Sequence, residues 1–562
     1  MKKVLDQFSE FEIPSYKKWR EVTEKSLKGT TFEQGLVTET YEGILLQPMY
    51  RKEDAENLPF IHTLPGKAPF TRGTHTLTNG WEINQEINVA TPIEFNKVAR
   101  HDLNRGQTAL NIVLDTPTKW AVNATDVASE AGKAGLSISG IKDITNILEG
   151  INIKNVPIHV HAGANSLPLF SLFIAHLEQA ELPVEDLCGC LGMDPLGELV
   201  TSGSLPYELA DCYTLMTDLT KWANYHTPNL QTVLVHGNAY HNGGSSAVEE
   251  LAFSLSTGVE YLHELTSRGV DVNIAARCIR FSFSMGSDFF MEVAKLRAAR
   301  ALWARIVETF GGNEEAQRMT IHARTSAWTK TIFDPYVNML RATTEAFAAA
   351  VGGADSIHVS CFDEAIQKST DFSRRIARNT SIILKEEAQI VRAIDPAGGS
   401  WYVEVLTNEV AKKAWELFQQ TEEKGSMSQA IINGFPQEVV QRTAVKRARN
   451  IEQRNDIFVG TNMYVNKDEK GLDWPADDET AQIVDHLQQV KSRAYIPVGS
   501  LIAKANKIEA AVQVAKQGAS LGELAKATGR KTEAVICAKA ILPTRGAISF
   551  EEHLKTEGAA VS

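Results

Sequence analysis

Between Trp81 and Cys361, short apolar runs alternate with longer stretches in which apolar residues recur every three or four positions. The short runs are Trp81–Val89, Ala109–Asp115, Pro157–His161, Leu187–Gly192, Thr232–Gly237, Arg280–Met285, Met319–Ala323 and Ile357–Cys361. Their length and β-rich composition predict strands. In the clearest intervening stretch, Val248, Leu251, Leu255, Val259 and Leu262 share one stripe of a helix over 246–268. A second helix is predicted over about 288–310, through Phe290, Val293, Leu296, Ala301 and Trp303, and a third over about 336–351. Eight strand–helix alternations predict the α/β class and a parallel (β/α)8 (TIM) barrel. A doubly wound open sheet fits less well, because no glycine-rich phosphate fingerprint follows the first strand.

The pattern differs outside this region. Ser15 is placed to cap a helix containing Trp19, Val22 and Leu27 that ends at Gly29. Residues 46–72, with Pro48, Pro59, Pro65, Gly66 and Pro69, read as an extended, irregular arm. After Ser400 the alternation stops: helices are predicted over 404–425, 426–455, 480–496, 504–518 and 520–539, with a polar, turn-rich stretch at 460–480 and a frayed end at Thr556–Ser562. The organisation is therefore an arm over 1–72, a barrel over 73–400 and a helical extension over 401–562.

Composition narrows the functional classes. Of 562 residues, 43% are apolar and 22% charged, an ordinary globular balance. The net charge of −12 argues against a nucleic-acid partner, which requires a basic face; the basic cluster at Arg442–Arg454 reads as a solvated helix surface. No apolar run is long enough to span a membrane, and no long apolar stretch follows the two N-terminal lysines, so neither a transmembrane helix nor a secretory signal is expected. The six cysteines are scattered. Only Cys188 and Cys190 are close, at a strand separation near the limit for a disulfide. A reduced, cytoplasmic protein without a cysteine zinc site is expected.

In a barrel, chemistry sits where strands pass into loops. Those positions carry His159 and His161; His236, Asn238, Tyr240 and His241; His322, Arg324 and Ser326; and His358, Ser360, Asp363 and Glu364. Strand alternation makes His159 and His161 share a face, as do His322 and Arg324. A His-x-His pair is one way a barrel hydrolase begins a metal site, with His236 and Asp363 as further ligands; the plainer reading is a polar interior whose histidines hydrogen-bond to neighbours. Ser282, Ser284, Ser326 and Ser360 would leave an axis normally filled by bulky side chains partly open. No G-x-x-x-x-G-K-[ST] loop is present.

Several blocks resemble the methylmalonyl-CoA mutase family: Pro69-Phe70-Thr71-Arg72-Gly73, Phe289 through Ala298 with Leu302-Trp303-Ala304-Arg305, Thr370-Asp371-Phe372-Ser373 with Arg375 through Thr380, and Asp395-Pro396-Ala397-Gly398-Gly399-Ser400. Their order and spacing hold from about residue 40 to 460. The resemblance implies a barrel whose axis takes a coenzyme A thioester, with adenosylcobalamin across the strand ends, isomerising methylmalonyl-CoA to succinyl-CoA. At the family's catalytic positions the sequence departs. The tyrosine's stretch is Thr76–Trp81, the substrate arginine's is Gly203–Leu209, and the histidine's position falls on Ala239, with His241 two residues on. His322 matches a cobalamin-facing histidine, Arg324 stands for a glutamine, Ser360 stands for an asparagine, and Glu364 is kept. The cobalt-ligating Asp-x-His-x-x-Gly motif does not occur.

These departures, together with Thr40–Ile44, Gly80–Ile83 and the Trp19 region, resemble the inactive small chain of heterodimeric mutases. The resemblance then implies no catalytic residues in this chain and no metal site. Family small chains often keep a degenerate C-terminal domain, and this sequence departs from them in that no cobalamin domain is expected. The resemblance also implies adenosylcobalamin carried by a homologous large subunit, acyl-CoA bound in the complex, and His241, Arg277, Arg280, His322, Arg324, Ser360 and Glu364 as vestigial substrate- or cofactor-facing groups. The alternatives are a catalytic mutase barrel, gripping its substrate with His241, Arg277, Arg280 and Arg324 and taking cobalamin from a separate small protein, and the metal-dependent hydrolase.

Overall fold

The computed structural model describes residues 14–466, 479–501 and 504–553, apart from the side chains of 479–481. The helix Tyr16–Ser26 begins as expected at Ser15, whose side chain accepts from Lys18 N. A small hairpin of β1 (Thr38–Glu39) and β2 (Leu45–Leu46) follows, and the arm to residue 72 is irregular except for one turn of helix, Lys52–Ala55.

All eight predicted strands form. They are β3 (Glu82–Ile83) with β4 (Glu86–Ile87), then β5 (Leu110–Ile112), β6 (Ile158–His161), β7 (Gly189–Met193), β9 (Leu230–His236), β10 (Ile279–Met285), β11 (Thr320–Thr325) and β12 (Ser356–His358), with a short β8 (Ser204–Leu205) lying outside the ring. The pairings within the ring are parallel, in the order β3-β12-β11-β10-β9-β7-β6-β5-β4. The two ends of that order, β3 and β4, are halves of one extended segment, so the sheet closes on itself through residues 82–87. The first predicted strand is thus split at Asn84 and Gln85. There the Gln85 amide takes over the ladder bonds, accepting from Val359 N at 2.8 Å and donating to Val359 O at 3.0 Å. A helix follows each strand, including Ala247–Ser267, Phe289–Thr309 and Val337–Val351, at the predicted places.

Alternation along β10 sorts the side chains between two layers. Phe281 and Phe283 point into the helical shell, where Phe281 meets Trp303 edge-on at 4.8 Å and both phenylalanines are fully buried. Arg280, Ser282 and Ser284 take the other face, toward the axis. On β11, Ile321 and Ala323 likewise pack outward while His322 and Arg324 face inward.

The region after Ser400 departs from the expected all-helical tail. The stretch 426–455 is broken into Met427–Ile432 and Phe435–Glu452 by Gly434 at φ +82°, a conformation that favours glycine. The stretch 520–539 holds a helix only over Leu521–Ala527, capped by Ser520; Ile536–Cys537 then forms β13, antiparallel to β8. Main-chain bonding to an unpaired strand edge on the barrel outweighs the local helical pattern there. The expected frayed end at 556–562 lies outside the described residues, as does 467–478 of the polar stretch. All six cysteines are free thiols, Cys188 and Cys190 included.

Candidate functional site

Inside the ring, toward the C-terminal ends of the strands, lies a cavity of about 320 Å³. Its walls include Glu86, His159, His161, His236, Arg280, Ser282, His322, Arg324 and Glu364. Two sets of ion pairs cross this interior, and both are anchored on the split strand.

Glu82 anchors the lower set. Its Oε2 lies 2.9 Å from His159 Nε2 on β6 and 3.4 Å from Arg280 Nη2 on β10, so it joins opposite sides of the barrel. The same Arg280 nitrogen donates to Ser356 Oγ at 2.6 Å, and that hydroxyl lies 2.6 Å from His322 Nδ1. Burial would raise the Glu82 carboxyl, but the bond to His159 and the charge of Arg280 outweigh it and hold the group down at about 2. Burial, reinforced by Arg280, lowers His159 to about 4, so the imidazole is neutral near pH 7 and Arg280 carries the countercharge.

Glu86 anchors the upper set. Arg324 reaches it with Nε at 2.9 Å and Nη2 at 3.1 Å, a two-pronged grip, and also pairs with Glu364. His358 Nε2 stands 3.3 Å from Glu86, and Ser360 Oγ lies 3.5 Å from Arg324 Nη1. Burial would raise Glu86, yet Arg324 and then His358 bring it down to about 2. Glu364 is likewise lowered, Arg324 again overcoming burial. Replacing Arg324 with methionine leaves two partly screened carboxylates facing one another. It is expected to cost about 2–4 kcal/mol, read as a lowered urea midpoint, with most of the loss recovered in Glu86→Gln/Arg324→Met/Glu364→Gln. Unchanged stability in the single variant would contradict this assignment.

The remaining imidazoles are neutral as well. Burial lowers both His161 and His236, whose rings lie 4.6 Å apart, with His236 and Lys119 adding to the effect on the first and Lys119 on the second; His236 falls to about 3. The nearest carboxyl, Asp194, is 3.9 Å from His161 and accepts from Tyr261 Oη at 2.5 Å and from Gly197 N and His236 N. His159 and His161 do face the cavity together, but among the described residues no group of three or more His, Cys, Asp or Glu side chains is placed to hold a metal ion. The hydrolase reading is not supported. The serines are tied rather than open: Ser282 Oγ donates to Asn238 Oδ1 at 2.5 Å, Asn238 Nδ2 donates to Ser284 Oγ at 2.8 Å, and Ser360 Oγ donates to Thr325 O at 3.1 Å.

Of the seven residues singled out from the sequence, five gather here: Arg280, His322, Arg324, Ser360 and Glu364. Two do not. Arg277 ends the helix Val272–Arg277 that precedes β10, so it lies exposed at the opposite, N-terminal end of the barrel, beside a hollow of about 330 Å³ with Thr320 and Asp355. His241 lies outside the axial cavity. The chain does not continue as a strand past His236; it turns into the helix Asn238–Asn242, which carries His241 behind the wall, 2.7 Å from Ser326 Oγ and 3.7 Å from Glu250. Sequence reasoning missed Glu82 and Glu86 as site residues. Their signal was legible: two carboxylates an even number of positions apart on a strand share a face, and a carboxylate inside a barrel requires a cation.

Comparison with known proteins accords with this architecture. A family model described as methylmalonyl-CoA mutase matches residues 39–534. The chain is 33% identical to a methylmalonyl-CoA mutase of Cereibacter sphaeroides, over 91% of this chain and 74% of the relative, and 32% identical to one of Escherichia coli, over 92% and 75%. It is 33% identical to a methylmalonyl-CoA mutase large subunit of Porphyromonas gingivalis, over 88% and 72%. With an eight-stranded barrel, a polar axial cavity and a match over most of its length, the chain belongs to the methylmalonyl-CoA mutase family.

Proposed function

We propose that this chain is the structural, non-catalytic subunit of an adenosylcobalamin-dependent methylmalonyl-CoA mutase, working beside a homologous large subunit that carries cofactor and substrate. The observation that carries this reading is the pairing inside the barrel. Both arginines of the axial cavity, Arg280 and Arg324, are committed to Glu82, Glu86 and Glu364. The two sets of ion pairs then hold three carboxylates against two arginines, with imidazoles kept neutral beside them. An acid thioester entering the cavity would find both arginines already paired and would have to break buried ion pairs to recruit either.

Family members use adenosylcobalamin, a radical cofactor that the protein must seat and shield from water. The rim of this barrel does not fit a corrin: Pro543, Thr544, Arg545 and Ile548 lie against Asn242, Ala327 and Glu364 and leave a pocket of about 220 Å³. That is below the roughly 300–1,000 Å³ that holds a drug-sized ligand. A family relative is named a large subunit, so an enzyme with more than one kind of chain has a precedent among the relatives.

The test is reconstitution. The purified chain with adenosylcobalamin and methylmalonyl-CoA is expected to form no succinyl-CoA. A homologous large chain co-expressed with it should co-purify, and the pair should turn over. Turnover by this chain alone, or with only a small cobalamin-binding protein added, would overturn the structural role and favour a catalytic barrel.

A further inference from the structure

The segment that follows β13 takes an unexpected path. After pairing with β8 beyond the end of β7, it crosses the C-terminal rim of the barrel in a run of main-chain bonds. Ala538 N donates to Gly203 O, Ile541 N to Val200 O, Thr544 N to Asn242 O and Gly546 N to Trp328 O, at 2.8–2.9 Å. The far end is pinned by Glu551. This carboxylate is almost fully buried, accepts from Ile332 N at 2.7 Å and pairs with Arg545 at 2.6 Å, while Arg545 also reaches Lys330 O. The strap thus spans the loops that follow β7, β9 and β11.

Beneath it lies the 220 Å³ pocket. Three of its lining residues, Asn242, Ala327 and Glu364, also line the axial cavity. The two spaces adjoin, and Pro543, Thr544, Arg545 and Ile548 form the roof of the outer one. Main-chain bonds, Glu551 and the buried Ile541 and Ala547 hold the strap at its two ends, while between them Leu542 is 73% exposed and Ile548 38%.

We infer that residues 541–551 are a built-in lid over the mouth of the barrel, fastened by Glu551, and that opening the lid is the route by which a solute reaches the axial cavity from the C-terminal end of the strands. The inference concerns access alone and does not depend on whether the chain is catalytic. An active barrel with the same lid would fail the reconstitution test above and still pass the one that follows.

The experiment places a thiol under the lid, in Ala327→Cys, and follows alkylation by N-ethylmaleimide with site-resolved mass spectrometry. Cys537, exposed on β13, serves as the internal reference. In the full chain, residue 327 is expected to react at least tenfold more slowly than Cys537. Two release variants are compared in the same background, Glu551→Ala and a chain ending at Ala540, each checked for a cooperative melt. In whichever of them folds, the ratio should rise toward one. Equal rates at the two sites in the full chain, or an unchanged ratio in a folded release variant, would overturn the lid.

Discussion

Replacing Lys295 with methionine is expected to destabilise the protein by about 3–5 kcal/mol, because it strands a fully buried carboxylate. Lys295 projects from the helix Phe289–Thr309 into the wall behind the axial cavity. Its ammonium lies 2.6 Å from Glu250, 2.5 Å from Glu292 and 2.5 Å from the carbonyl oxygen of Ser284, and neither Lys295 nor Glu250 is exposed. Glu250 in turn accepts from Ser284 N at 2.7 Å. One ion pair therefore fixes both main-chain polar groups of Ser284, near the end of β10 where Ser282, Ser284 and Asn238 form the hydrogen-bonded rim. Burial would raise Glu250, but Lys295 and then His241 hold it at about 2. Chemical unfolding should show the loss directly, and Glu250→Gln combined with Lys295→Met should be less damaging than Lys295→Met alone. A single variant within 1 kcal/mol of the parent would mean that this cluster is not the fastening we describe.

Stability is also expected to fall between about pH 6.5 and pH 4, well before ordinary carboxylates protonate. The sign follows from the imidazoles. His159 and His236 are neutral in the folded chain and resist protonation down to about 4 and about 3, while in the unfolded chain they take protons near 6.5. Their contribution is complete above pH 6.5 and is lost as pH falls toward the folded values, because protons bind the unfolded state preferentially. Asp194 works in the opposite direction. Burial raises it to about 6, so it costs stability above that value and relieves the cost as pH falls toward 3.8. Against Asp194 alone these two imidazoles leave a net loss of a few kcal/mol by pH 4. His161, His322 and His358, lowered by burial, add to it, and Asp115, Glu249 and Glu345, raised by burial, reduce it. Below about 4.5, Glu82 and Glu86 add to it, since their stabilisation is lost as pH drops toward their folded values near 2. A series of thermal melts from pH 7.5 to 4 should show a steady fall, flattened in His159→Gln/His236→Gln. A melting temperature constant down to pH 5 would show that these rings are not held neutral.

The sequence by itself determined the ring. Strand length, β-rich composition and the helical stripes between strands are local properties, and local patterns placed all eight strands, the long helices from about 246 and 288, and the cap at Ser15. It also brought Arg280, His322, Arg324, Ser360 and Glu364 to one region, because alternation within a barrel strand dictates the face. The tertiary structure alone decided how those groups are spent. Whether Arg324 is a free cation or a neutralised one depends on Glu86, 238 residues away in sequence, and that distance is set by ring closure rather than by any local pattern. The positions of His241 and Arg277 were likewise beyond local reading. A turn after His236 moves the first behind the wall, and the second sits before its strand rather than at its end. The path of residues 536–551 depended on strand pairing to β8, a long-range main-chain choice that helical propensity does not report.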